Sequence, residues 1–117
     1  MSFELHLRTR EQGTVVECRG CLIAGPELSF LRSALLNVLR HERRLVLNLS
    51  GLQTIDAAGL GVLASAAALA NEHESHVALC CTPKHIRKLI DTTQLSSVLK
   101  LYESESKALN NGRCAAA

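Results

Sequence analysis

A single α/β domain, with a small mixed sheet and helices mostly on one face of it, is the fold class this sequence predicts. Three observations carry the prediction. Residues 3–19 hold two strand-like runs joined by a Glu11-Gln12-Gly13 turn. Residues 45–70 read as a buried strand, a polar interruption and a long uncharged helix. Downstream of residue 71, strand-like and helical segments alternate. A strand–helix–strand crossover within one sheet is right-handed almost without exception, so successive crossovers in one direction stack their helices on one face. The expected order is β-β-α-β-α-β-α-β-α, with about five strands, the N-terminal hairpin at one edge, and about four helices.

Each element has its own justification. Phe3, Leu5 and Leu7 alternate with Glu4, His6 and Arg8, the period-2 pattern of a half-buried strand, and Thr14 to Arg19 form its hairpin partner. Gly20 to Gly25 read as a loop. Pro26 suits a first helical position, where its missing N–H is unpaired anyway. Leu28, Leu31, Leu35, Val38 and Leu39 recur at three- and four-residue spacing, one apolar helical stripe. Glu27 at its start and Arg40, His41, Arg43 and Arg44 at its end complement the helix dipole.

Leu45 to Leu49 form the short apolar run of a strand buried on both faces. Gly51, Gln53 and Thr54 read as a loop ending at Ile55-Asp56. From Ala57 to Ala70 no residue is charged, which predicts a buried helix with Asp56 as its N-cap. A polar turn at Asn71 to Ser75 leads into a strand at His76 to Cys81. Thr82-Pro83 reads as an N-cap and first helical proline, with Ile86, Leu89 and Ile90 on the buried side. Val98 to Tyr102 gives a last strand and Glu103 to Asn110 a terminal helix. The domain is expected over residues 1–110, with 111–117 a flexible tail.

Composition narrows the function classes. At 117 residues the chain is one domain by size. A net charge of +2 and an aromatic content of 3% without Trp argue against a nucleic-acid surface. The longest uncharged stretch is shorter than the roughly 18 to 20 residues a membrane-spanning helix needs. MSFELHLRTRE carries no apolar leader core, so a cytoplasmic location is expected. Cys18 and Cys21 make a C-x-x-C, but Cys80 and Cys81 are adjacent, so zinc-ribbon spacing fails. Cys18 and Cys80 fall in strand-like runs and read as small buried hydrophobes, and no metal or cofactor is expected. Gly59-x-Gly61-x-x-Ala64 fits the loose dinucleotide fingerprint, yet lacks the tight turn off a strand and the acidic residue about 20 positions on. His73-Glu74-Ser75-His76 is one residue short of a metalloprotease H-E-x-x-H. No catalytic residue is assigned, and the chain is expected not to be an enzyme.

The stretch VLNLSGLQTIDAAGLGVL resembles the signature of STAS domains, in particular the anti-sigma factor antagonists. Their pattern is an apolar strand, D-L-S, a short loop and I-D-S-S-G-L-G. Gly20, Leu22, Pro83 and the E-S-E-S-K-A-L ending fit as well, so the resemblance covers residues 3 to 110. It implies a partner-switching protein that binds a kinase-type anti-sigma factor and frees the sigma factor. In that family the kinase phosphorylates the second serine of D-S-S-G and a phosphatase reverses it.

Here Asp56, Gly59, Leu60 and Gly61 match the pattern, while the phosphoacceptor position is Ala58 and its neighbour is Ala57. Alanine has no hydroxyl, so phosphoryl transfer there is impossible. A phosphate would add about two negative charges at a helix N-terminus beside Asp56; without it the surface is fixed in its unphosphorylated-like state. Asn48 stands for the usual strand Asp, and Ile23 for a common acidic residue. Ser50, Thr54 and Ser65 carry hydroxyls, none at the family position. The resemblance thus implies partner binding through Thr54, Asp56, Ala57, Ala58, Gly59, Leu60 and Gly61, with Leu60 an apolar anchor where exposed. A homodimer stays open. The alternatives are a STAS scaffold or subunit of a signalling or lipid-transport complex, or a small-anion or nucleotide-binding module, against which the Asp56 carboxylate argues.

Overall fold

The computed structural model describes residues 3–72 and 74–116, with side chains described to residue 110. The elements run β1 (Phe3–Arg10), β2 (Gly13–Leu22), α1 (Pro26–His41), β3 (Arg44–Ile55), α2 (Ala57–Glu72), β4 (His76–Cys80), α3 (Lys84–Thr92), a 3-10 turn at Leu95–Ser97, β5 (Lys100–Tyr102) and α4 (Glu105–Ala116). The five strands lie in sequence order in one sheet. β1 pairs antiparallel with β2 as an edge hairpin, and the β2–β3, β3–β4 and β4–β5 pairs are parallel. The order and the mixed sheet are those the sequence predicts.

The sheet is covered unequally. On one face Leu31 and Leu35 of α1, Leu60 and Leu63 of α2, and Ile86 and Ile90 of α3 pack on Val16, Leu45, Leu47, Leu49 and Leu79. On the other, Ala108 and Leu109 of α4 cover Val15, Val46, Ala78 and Cys80. The three crossover helices share a face because the strands advance in one direction. α4 follows the last strand, belongs to no crossover, and is free to close the opposite face.

Three local expectations are corrected. Residues 50–54 are not a loop: β3 runs to Ile55, with Arg19 opposite Gly51, Gly20 opposite Leu52 and Leu22 opposite Ile55. Irregularities in register, between Glu17 and Arg19 and between Gly20 and Cys21, absorb the polar interruption while Leu52 and Ile55 stay buried. The supposed loop from Gly20 therefore begins only after Leu22. Second, Thr82 does not cap α3. Pro83 stands at the cap with ψ 147°, and its carbonyl accepts from the N–H groups of Ile86 and Arg87 at 3.0 and 2.9 Å. The buried Thr82 hydroxyl finds no partner among the described residues. Third, α2 is not buried all round. Ala57, Ala58, Gly61, Ser65 and Ala68 are exposed, while Gly59, Leu60, Leu63, Ala66, Ala67 and Ala70 are buried. An uncharged helix needs no charged stripe to have a solvent face; its small residues leave that face bare.

β5 and α4 both begin later than the sequence reading places them, because a 3-10 turn occupies 95–97. The flexible-tail expectation for 111–117 falls on side chains outside the described residues, as does His73 of the H-E-x-H stretch. Gly59 and Gly61 lie inside α2 rather than in a strand-to-helix turn, so the dinucleotide fingerprint has no structural counterpart.

Candidate partner-binding site

β2 and β3 end side by side, and the chain leaves β3 at Ile55 to start α2 two residues later. Asp56 occupies that corner. Its Oδ1 accepts the Gly59 N–H at 2.9 Å, which caps the first turn of α2, and its Oδ2 accepts the Ala24 N–H at 2.9 Å. Its own N–H donates to the Leu22 carbonyl at 3.2 Å. One carboxylate therefore joins the helix start to the segment that follows β2. These amides, Ala24 first and Gly59 next, hold the Asp56 carboxyl below the usual carboxylate range.

The sign of the linkage is fixed by that direction. With the folded value depressed, the stabilisation is present above the ordinary carboxylate range and is lost as pH falls through the lowered value. We expect thermal melts to show Asp56→Asn flattening the acid limb of the stability profile below the ordinary carboxylate range, where the wild-type carboxylate loses its contribution. An acid limb identical in both proteins would detach Asp56 from the stability of this corner.

The residues the sequence singles out fall into two groups. Thr54, Ala57, Ala58 and Gly61 are exposed, and Asp56 is half-exposed. Gly59 and Leu60 are buried, Leu60 at 5% exposure, so Leu60 is a core residue and not a surface anchor. Gly59 is needed because the backbone comes close: a Cβ there would stand 2.4 Å from the Leu22 carbonyl oxygen and 2.8 Å from Ile55 Cγ1. Around a Cβ at Gly61 there is nothing within 4 Å. The two glycines, two residues apart in one motif, do unrelated things.

Ala24 and Leu22 complete this corner; Ala24 is not marked by its local sequence, and Leu22, which fits the family pattern, shows its role only in space, since their contacts to Asp56 and Gly59 join segments 32 or more positions apart. His85 is likewise unmarked by its local sequence. Its Nε2 lies 2.7 Å from the Gln53 carbonyl and donates to it, tying the start of α3 to the end of β3. What the corner exposes is a surface of small, uncharged residues around Asp56. Its methyl and glycine positions allow close approach, with the Asp56 carboxylate at the helix start and the His85 imidazole beside Gln53. Among the described residues no group of three metal-ligating side chains occurs, and no helix is long and apolar enough to cross a membrane.

Comparison with known proteins places this geometry. The STAS domain pattern matches residues 4–108. Over 70 residues the chain is 31% identical to the anti-sigma F factor antagonist of Paenibacillus polymyxa, an alignment spanning 60% of each chain. Its fold is similar to the crystal structure of an anti-sigma factor antagonist from Mycobacterium paratuberculosis. There the TM-score is 0.78 at 22% identity, covering 96% of this chain and 95% of that one. It is also similar to a sulfate transporter family protein from Wolinella succinogenes, with TM-score 0.72 at 14% identity over 93% and 91% of the two chains. At such identities the structural likenesses carry the fold alone. The sequence pattern covers nearly the whole sheet and all of the Asp56 corner, and on it the chain belongs to the STAS domain family.

Proposed function

We propose that this STAS domain is an anti-sigma factor antagonist that binds a kinase-type anti-sigma factor, and that phosphorylation at residue 58 does not switch it. The observation that carries the reading is the bare stripe Ala57, Ala58, Gly61, Ser65 and Ala68 along α2. An exposed helix face without charge, started by a carboxylate cap, is suited to a protein partner that excludes water from it. The likeness to the Paenibacillus polymyxa antagonist supports the choice of partner class. The role is one of binding in the cytoplasm, with no group transferred by this chain. With Ala58 at the position where the family carries its phosphoacceptor, the surface keeps one state and partner release is left to the other protein.

The test is calorimetric binding to candidate anti-sigma kinases with nucleotide present. We expect micromolar or tighter binding by the wild type, weakened at least about tenfold, or about 1.4 kcal/mol, by Ala58→Asp. Ala58→Ser in the same mixture is expected to take up phosphate, seen as an intact-mass increase, while the wild type takes up none. Binding indifferent to Ala58→Asp moves the interface off α2. Absence of binding to every kinase overturns the reading in favour of a scaffold or transport subunit.

A further inference from the structure

β4 ends at Cys80, whose side chain is fully buried under α4 among Val15, Val46, Ala78, Ala108 and Leu109. In extended backbone the next side chain points to the opposite face of the sheet. Cys81 does not: it packs against that same cluster beneath α4. The cause is its backbone, with φ at +56°, a left-handed conformation that favours glycine or asparagine over cysteine. Cys81 N–H donates to the Tyr102 carbonyl at 3.3 Å, and its thiol lies 3.6 Å from the Glu103 carbonyl oxygen, half-exposed beside the start of α4. In sequence Cys80 and Cys81 are two apolar strand residues; folded, they are two thiols at one cluster, the first fully buried and the second half-exposed.

We propose that Cys80 and Cys81 form a vicinal dithiol site that captures soft electrophiles requiring two sulfurs, with trivalent organoarsenicals as the representative class. The pair suits such a centre better than zinc. No third metal-ligating side chain joins them among the described residues, whereas an organoarsenical brings its own third substituent. Burial raises the Cys80 thiol well above its ordinary value and the neighbouring Cys81 raises it further, so reaction starts at the half-exposed Cys81. With an arsine oxide, the arsenic–oxygen bond breaks, two arsenic–sulfur bonds form, and both thiol protons leave with the oxygen as water. Arsenic stays trivalent and no electron is transferred. The site is independent of the partner surface: it lies on the α4 side of the sheet.

The test treats the folded full chain with phenylarsine oxide and reads intact mass. We expect one adduct per chain, stable to excess glutathione and removed by a small dithiol. Cys80→Ala and Cys81→Gly each abolish it and Cys21→Ser keeps it. Because glycine accepts the left-handed conformation, Cys81→Gly is expected to melt no lower than the wild type, which keeps loss of the adduct distinct from loss of the fold. No adduct on the wild type, an adduct that glutathione strips, or one that persists in Cys81→Gly overturns the proposal.

Discussion

Gly59→Ala is expected to lower the melting temperature of the domain sharply, while Gly61→Ala raises it. At residue 59 the added methyl meets a backbone oxygen at 2.4 Å and a branched side chain at 2.8 Å. The carbonyl belongs to Leu22, which also accepts the Asp56 N–H, so moving it disturbs the whole corner. Overpacking of this kind costs about 1–3 kcal/mol, and in a domain of this size each kcal/mol shifts the melting temperature by about 4 °C. At residue 61 the methyl enters open space on a solvent-facing helix, where replacing Gly by Ala gains about 0.5–1 kcal/mol. Melts of the two variants should move in opposite directions. A Gly59→Ala protein as stable as the wild type would mean that α2 does not sit against β2 as described. Calorimetry adds a second reading: Gly61→Ala, although more stable, thickens the proposed binding stripe and should weaken the partner.

Asn48→Asp is expected to destabilise the domain at neutral pH and to let it regain stability on mild acidification. Asn48 is buried in β3, and its Nδ2 donates to Glu105 Oε2 at 2.6 Å, while its Oδ1 accepts the Ser50 N–H at 3.0 Å. The Glu105 carboxylate also takes the Arg8 guanidinium across the sheet, with Arg8 reaching Glu17 at 3.1 Å. Burial raises the Glu105 pKa, but the bonds from Arg8 and Asn48 outweigh it and the net value is lowered. In the wild type, then, this contribution is complete above the ordinary carboxylate range and lost as pH falls through the depressed value.

A carboxylate at position 48 removes the donor and sets like charge against Glu105, costing about 1–3 kcal/mol. One of the two carboxyls then has a raised pKa, so the variant regains stability on mild acidification, where the wild type is unchanged because its own loss comes only at lower pH. Adding Glu105→Gln restores a donor opposite an acceptor and should recover most of the loss, a coupling that a double-mutant cycle measures. Equal destabilisation with and without Glu105→Gln would show that the two positions are not partners. The interaction also gives a physical reason for amide rather than acid at a position where the family carries Asp: α4 presents a glutamate to it.

Local chemistry decided most of what this sequence revealed by itself. The β1–β2 alternation, the 28-31-35-38-39 stripe of α1 and the apolar run of β3 each follow from a period that one element alone must satisfy. The Asp56 cap and the family signature around it belong to the same kind of evidence, because a helix start needs its acceptor within a few residues. The loop expected at 50–54 failed for the complementary reason. Gly51 is a poor strand former and Gln53 carries little strand preference, and pairing with residues 19–22 of another strand extends β3 through them. The tertiary structure alone decided which glycine is packed and which is bare, since the Leu22 carbonyl that excludes a methyl at Gly59 comes from a strand distant in sequence. It alone turned Leu60 from a surface anchor into core, opened one face of α2, and brought Glu105 to Asn48 across the sheet. It alone set two adjacent cysteines at one cluster beneath α4. Periodicity and capping are properties of neighbours along the chain; exposure, close approach and charge pairing are properties of neighbours in space.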